Sequence, residues 1–370
     1  MNHSVLRIEV FLRRLLTRPR LDVPLLIALL LLAGMGLFFL SSAADLAWRT
    51  IGAQAARFVL GFMLLYVVSR ISPTQFRHWS PALYVLSVVL LVLVLLLGEG
   101  RGADRWLNLG IVRFQPSELL KLTTPMMAAW YLAQRPLPPS WRDLGVVLLL
   151  IALPAGLIAL QPDLGTALLV VAAGAFVLFL AGLSLRRIGL ILGVVLLMLP
   201  VAWHFMHDYQ RERVLTLFNP ESDPLGTGWH VIQSEIAVGS GGVLGKGFMR
   251  GTQAQLQFLP EHTTDFIYAV VGEEFGLVGV LLLLALYLFI IGRSLWIAVN
   301  ARDTYARLLS GALAMSFFVY VMVNGGMITG LLPVVGVPLP LVSYGGTSAV
   351  SLLTGFGVLM SIHAHRKLNQ

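Results

Sequence analysis

The 370-residue sequence contains no cysteine. Disulfides, iron–sulfur clusters and thiolate catalysis are therefore excluded. Charge is also scarce: Asp, Glu, Lys and Arg make up 12% of the chain, against about 25% in a soluble domain. The apolar runs lack the polar–apolar alternation of a transmembrane barrel strand, which excludes that architecture. No small-x-small cleavage site follows the first apolar run, so that run reads as a retained span and not a cleaved signal.

What is present is apolar. Hydrophobic residues make up 57% of the chain, and mean hydropathy is +0.83. Runs of about 20 apolar residues recur, enough to cross a hydrocarbon core roughly 30 Å thick. In lipid each backbone polar group must be satisfied within its own segment, so these runs are helices. The expected fold is a single all-α polytopic membrane domain over 1–370. Ten spans are expected near 24–40, 51–69, 81–98, 117–133, 144–160, 165–182, 188–204, 265–292, 306–327 and 342–363.

An even number of spans puts both termini on one side. That side (1–22, 70–80, 134–143, 183–187, 293–305 and the tail 364–370, with adjoining helix ends) carries 16 of the 26 Lys and Arg. Only four acids accompany them: Glu9, Asp22, Asp143 and Asp303. By the positive-inside rule it is cytoplasmic. The formal +8 is then a topology signal and no evidence for nucleic-acid binding. The short cytoplasmic loops hold no nucleotide site. The glycine-rich GSGGVLGKG (239–247) fails as a phosphate loop, with Ser240 at the first glycine position and Gly247 at the Ser/Thr position.

The polar residues are concentrated on the external face. The one long loop, 205–264, contains WHVIQSEIAV (229–238), read as a short amphipathic helix with Trp229, Ile232 and Ile236 on its apolar stripe and Gly239 as its C-cap. The loop ends at Asp265, where FLPEHTTD enters an apolar helix. A carboxylate at that boundary is a functional-site candidate by default. A second cluster, RGADRWLNLGIVRFQPSELLK (101–121), places Arg101, Arg105 and Arg113 ahead of Pro116, which suits a first helical turn. Glu118 and Lys121 follow on one helix face. They read either as a self-neutralising pair or, with the arginines, as a site for an anion such as pyrophosphate. In QPDLGT (161–166), Asp163 reads as a helix cap or a site residue. The Pro- and Gly-rich segment 330–348 reads as irregular backbone lining a cavity, with Ser343 and Tyr344 as hydroxyls. Glu273 and Glu274 need a partner, for which Arg57 is a candidate.

These motifs resemble the SEDS family (shape, elongation, division and sporulation), and within it the elongation branch. The resemblance covers nearly the whole chain. It rests on RWLNLGIVRFQPSE, QPDLGT, MHDYQRERV, ESDPLGTG through IQSEIAVGSGG, and LPVVGVPLPLVSYGG. It implies a peptidoglycan glycosyltransferase of the cytoplasmic (inner) membrane that polymerises lipid II on the periplasmic face. The implied partner is a class B penicillin-binding protein of the elongation machinery. The family's essential aspartate falls on Asp265, expected to act as general base. Its other important positions fall on Arg113, Glu118, Lys121, Asp163 and Ser343, with Arg101, Arg105, Arg211 and Arg213 as further cations for the leaving pyrophosphate. A divalent cation, Mg²⁺ or Mn²⁺, is expected, with Glu118 and Asp163 as its ligands. One position departs from the family pattern: Thr263 stands where histidine is usual, with His262 beside it. The alternatives weighed against an enzyme are a lipid-linked-sugar flippase and a scaffold that only recruits the partner.

Overall fold

The computed structural model describes residues 21–97, 106–108, 113–206, 208–223, 226–255 and 261–366. Ten of its helices, counted among the described residues, lie where spans are expected. They are α1 (Val23–Ala43), α2 (Trp48–Ser69), α3 (Pro73–Leu97), α4 (Pro116–Leu132), α5 (Trp141–Ala159), α6 (Leu164–Leu180), α7 (Leu185–Phe205), α11 (Ile267–Val299), α12 (Thr304–Ile328) and α13 (Thr347–Ala364). Seven are long and apolar enough to cross a membrane by length and composition, and α6 is a shorter apolar helix. Between α7 and α11 come α8 (Asp208–Phe218), the 3₁₀ turn Pro220–Ser222, α9 (Thr227–Ser240) and the single turn α10 (Thr252–Gln255). Ahead of α4, Leu107–Asn108 pairs antiparallel with Arg113–Phe114.

Local chemistry sets the helix starts. Asp22, Asp163 and Asp303 each accept a backbone N–H of the first turn of α1, α6 and α12. Ser140 and Asp143 form a reciprocal capping box at α5. Pro116 opens α4, where its missing N–H costs nothing. Lateral packing relies on small residues, because lipid gives apolar helices no hydrophobic reason to associate. A Cβ on Gly174 would lie 2.3 Å from Ile151, and one on Gly61 2.4 Å from Leu353. Of the seven apolar spans α12 is the most enclosed, and α11, α4 and α6 pack around it.

Two expectations are corrected. The eighth span is not one continuous helix: α11 breaks at Gly276 (φ 61°, ψ −159°). The glycine-rich 241–247 segment answers the break. Leu277 and Val278 donate to the carbonyls of Gly242 and Val243, while Lys246 and Gly247 donate to those of Glu273 and Glu274. A side chain on Gly245 would lie 2.1 Å from the Glu274 carbonyl, so the backbones meet only because the residue is glycine. The second concerns α9, whose protein-facing side is the one opposite its apolar stripe. Val231, Ser234 and Ala237 are buried and Ile236 is 45% exposed. The helix packs on α11 and α12, and its Ser234 hydroxyl donates to the Ile328 carbonyl at 2.9 Å. It also runs on to Ser240, with Gly241 as C-cap in place of Gly239. Protein neighbours cover its inward face.

Candidate active site

Asp265 sits in the turn 261–266, just before α11. The turn closes on Glu261, whose carbonyl accepts the N–H groups of Thr264 and Phe266. Phe266 and Ile267 follow as fully buried side chains, so Asp265 is the last polar residue before the apolar interior. Two contacts fix the turn from outside. The Thr263 carbonyl accepts the Tyr344 N–H at 2.8 Å, and the Asp265 carbonyl accepts the Asn324 side-chain amide at 2.8 Å. The Thr263 contact uses backbone alone, so replacing the family's usual histidine leaves it intact.

The facing wall is the irregular segment between α12 and α13, residues 329–346. Non-helical backbone at this depth must find hydrogen-bond partners within the protein, and it does. Tyr287 donates to the Pro340 carbonyl at 2.7 Å, Gln54 to that of Ser343 at 3.3 Å and Asn324 to that of Val337 at 2.8 Å. The Ser343 hydroxyl accepts the Leu339 N–H at 2.8 Å. The segment also presses so closely on α1 that a Cβ on Gly36 would lie 2.2 Å from the Leu341 carbonyl.

Between the walls lies a cavity of about 310 Å³. Asp163 enters from the α5–α6 turn, Tyr209, Gln210 and Arg213 from α8, Glu261 and Asp265 from the turn before α11, and Pro333, Val335 and Gly336 from the irregular segment. The Tyr209 hydroxyl donates to the Pro162 carbonyl at 3.1 Å, pinning α8 against the α5–α6 turn. Among the described residues no hydrogen bond or ion pair holds the Asp265 carboxylate. Burial, reinforced by the negative charge of Glu261, pushes its pKa up to about 7, and Arg213 pulls against that rise.

The structure sorts the sequence candidates. Asp265, Asp163 and Arg213 meet in the cavity. Asp163 is also a helix cap: Oδ1 accepts the Thr166 N–H at 3.2 Å, and Oδ2 accepts from the Gln115 side chain at 3.2 Å. Glu118 and Lys121 are not part of the cavity lining. They form a buried pair at 2.5 Å, and the second Glu118 oxygen accepts from Ser351 at 2.6 Å. Arg211 is turned away, donating to the carbonyls of Trp203 and His204 and so satisfying the end of α7. The Ser343 hydroxyl is spent on its own turn. Arg101 and Arg105 lie outside the described residues, as does the Arg113 side chain. Arg57 is not the partner of Glu273 or Glu274: it binds Gln54 and Tyr344. Glu273 instead pairs with Lys246 at 2.6 Å and accepts from Thr252 and Gln253, while Glu274 accepts from Ser42 at 2.7 Å.

Tyr209, Gln210, Glu261 and Asn324 are site residues that the sequence reading did not single out. Asn324 had a signal, an amide within the apolar stretch 321–328.

The same organisation occurs in known proteins. Peptidoglycan glycosyltransferase MrdB of Escherichia coli K12 is 51% identical over 353 residues, covering 95% of each chain. A chain from a peptidoglycan synthase complex, described for its coordination of polymerisation and crosslinking, superposes with a TM-score of 0.82 at 36% identity, covering 95% of this chain and 99% of that one. The rod shape determining protein RodA of Thermus thermophilus superposes with a TM-score of 0.72 at 30% identity and the same coverage. The family model for the FtsW, RodA and SpoVE cell cycle proteins matches residues 23–368. By sequence over almost its whole length and by fold, the chain belongs to the FtsW/RodA/SpoVE family.

Proposed function

We infer that this protein is a peptidoglycan glycosyltransferase that polymerises lipid II into β-1,4 glycan on the outer face of the cytoplasmic membrane during cell elongation. One observation carries the mechanism: a carboxylate without a hydrogen-bond or ion-pair partner among the described residues, Asp265, faces a guanidinium, Arg213, across a polar cavity at the edge of the apolar interior.

Lipid II carries its sugar α-linked to pyrophosphate, and the product linkage is β. One inversion needs one displacement. The acceptor hydroxyl oxygen attacks the donor anomeric carbon, the carbon–oxygen bond to the pyrophosphate breaks, and the hydroxyl proton passes to Asp265. Undecaprenyl pyrophosphate leaves. A base whose pKa lies near the working pH is well matched to that transfer, which contributes about 10²–10⁴-fold. Arg213 supplies fixed positive charge toward the leaving group. Arg101, Arg105 and Arg113 are the further cations we assign to the pyrophosphate, on the strength of their sequence position.

A divalent ion has no ready pocket among the expected ligands. Both oxygens of Glu118 and both of Asp163 are engaged, and among the described residues no group of three His, Asp or Glu side chains is placed to hold a metal. The donor set does not fit a resident Mg²⁺ or Mn²⁺, and no step here runs through one. Such an ion would arrive bound to the pyrophosphate, as part of the substrate.

Both termini then face the cytoplasm, the cavity faces the periplasm, and a class B penicillin-binding protein is the partner we propose for crosslinking. The test is polymerisation of labelled lipid II by the purified complex. Wild type yields glycan and Asp265→Asn does not. Equal polymer from both overturns the assignment of the base. Translocation of lipid II across vesicles without polymer from either would support a flippase.

A further inference from the structure

We propose that Asn324 is a positioning residue for polymerisation, its one side-chain amide holding the backbone of the base and the facing wall of the cavity at a fixed separation. The inference rests on the reading of Asp265 as base.

Asn324 lies in α12 and is fully buried. Its Nδ2 has two hydrogens and both are used: one goes to the Asp265 carbonyl at 2.8 Å, the other to the Val337 carbonyl at 2.8 Å. Val337 directly follows Val335 and Gly336, which line the cavity. Those two walls are already close: a Cβ on Gly336 would lie 3.4 Å from the Asp265 Oδ2. The amide therefore bridges the two pieces of chain whose spacing determines where the carboxylate sits relative to a bound sugar.

The chemistry selects the residue type. Two buried carbonyls on separate segments need two donors from one neutral group, and an asparagine or glutamine amide supplies them. A hydroxyl supplies one donor, and a lysine would bring a charge that must be neutralised. Asparagine is the shorter of the two amides and leaves less slack.

A purely structural role is separable from this one. The irregular segment is anchored from other elements by Tyr287 on Pro340 and Gln54 on Ser343. The turn before α11 closes on the Glu261 carbonyl, and its Thr263 carbonyl is tied to Tyr344 at the far end of the same irregular segment. Removing the amide leaves both segments attached and loosens only their meeting point at Asp265. A displacement of about 1 Å at a reacting group costs on the order of 10²-fold in rate.

The experiment measures glycan polymerisation by the complex carrying Asn324→Ala, with Asp265→Asn alongside, normalised to the folded fraction from thermal unfolding in detergent. The expected result is a fall in kcat of about 10²-fold, with KM for lipid II changed by no more than about twofold, since substrate contacts are intact. Asn324→Gln, which keeps both donors, recovers part of the loss. Wild-type kcat per folded Asn324→Ala molecule overturns the proposal, as does a loss expressed wholly in KM. Should Asn324→Ala fail to fold, Asn324→Asp is read in its place. It preserves volume and sets an acceptor against the two carbonyls, and wild-type kcat in that variant likewise overturns the proposal. Full activity in Asp265→Asn would instead remove the base assignment on which the inference rests, and the two failures are thus distinguishable.

Discussion

Glu118 and Asp265 are both carboxylates at the margin of an apolar helix, yet their surroundings are opposite. Glu118 is surrounded by donors, Lys121 at 2.5 Å and Ser351 at 2.6 Å. Asp265 has a cavity in front of it, and the charges of Glu261 and Arg213 act on it with opposite sign. A carboxylate whose lone pairs are filled is held in place and chemically quiet. One held by its backbone alone keeps its lone pairs for a substrate proton. Both residues sit beside helix starts, and their partners set them apart.

The largest test of that contrast is Asp265→Asn, which keeps shape and removes the base. It is expected to lower polymerisation by about 10²–10⁴-fold while leaving the unfolding temperature near wild type. Glu118→Gln is expected to behave in the reverse sense. Stranding the buried Lys121 charge costs about 3–5 kcal/mol, read as a drop in thermal stability. The double variant Glu118→Gln with Lys121→Met should recover most of that loss, because a buried pair replaced as a unit is close to neutral. If the double variant stays as unstable as the single one, Glu118 is doing more than neutralising Lys121.

Gly276→Ala should act on stability at an intermediate scale. Its φ of 61° suits glycine, and a Cβ there would lie 2.4 Å from the Gly245 nitrogen. A cost of about 1–3 kcal/mol is expected from the backbone alone, again by thermal unfolding. The smallest effect concerns pH. With the Asp265 pKa raised to about 7, the proton-accepting form grows as pH rises, so kcat should climb through pH 7. Arg213 and Glu261 face Asp265 from α8 and from its own turn, with Asp163 across the cavity. Removing the opposing negative charge, in Glu261→Gln, should move the midpoint down. Removing the positive charge, in Arg213→Gln, should move it up. A midpoint that ignores both variants assigns the titration to another group.

Much of this was legible from residues alone. Hydropathy located the seven helices that are long and apolar enough to span among the described residues, because lipid leaves a backbone few options. Pro116 and Asp163 announced helix starts, since the physics of a first turn is local. Asp265 announced itself by being charged in a costly place. The partners of the other buried acids were not legible. Lys246 and Glu273 are 27 residues apart in sequence, and nothing local distinguishes that pairing from one with Arg57. The protein-facing side of α9 was not legible because its stripe is short and small, Val231, Ser234 and Ala237. The glycines at 241–247 were visible as a motif, but their use, meeting a broken helix backbone to backbone, depends on where Gly276 lies in space.

The two ion pairs also differ in when they can form. Lys121 and Glu118 stand three residues apart on one helix, so α4 neutralises its own charges as soon as it coils and can be handed to the bilayer as a finished unit. Glu273 has no such privilege: its partners Lys246, Thr252 and Gln253 all arrive from the segment between α9 and α11. Its charge is satisfied only once that segment has closed onto α11, so the helix behind Asp265 depends on contacts that its own coiling cannot supply.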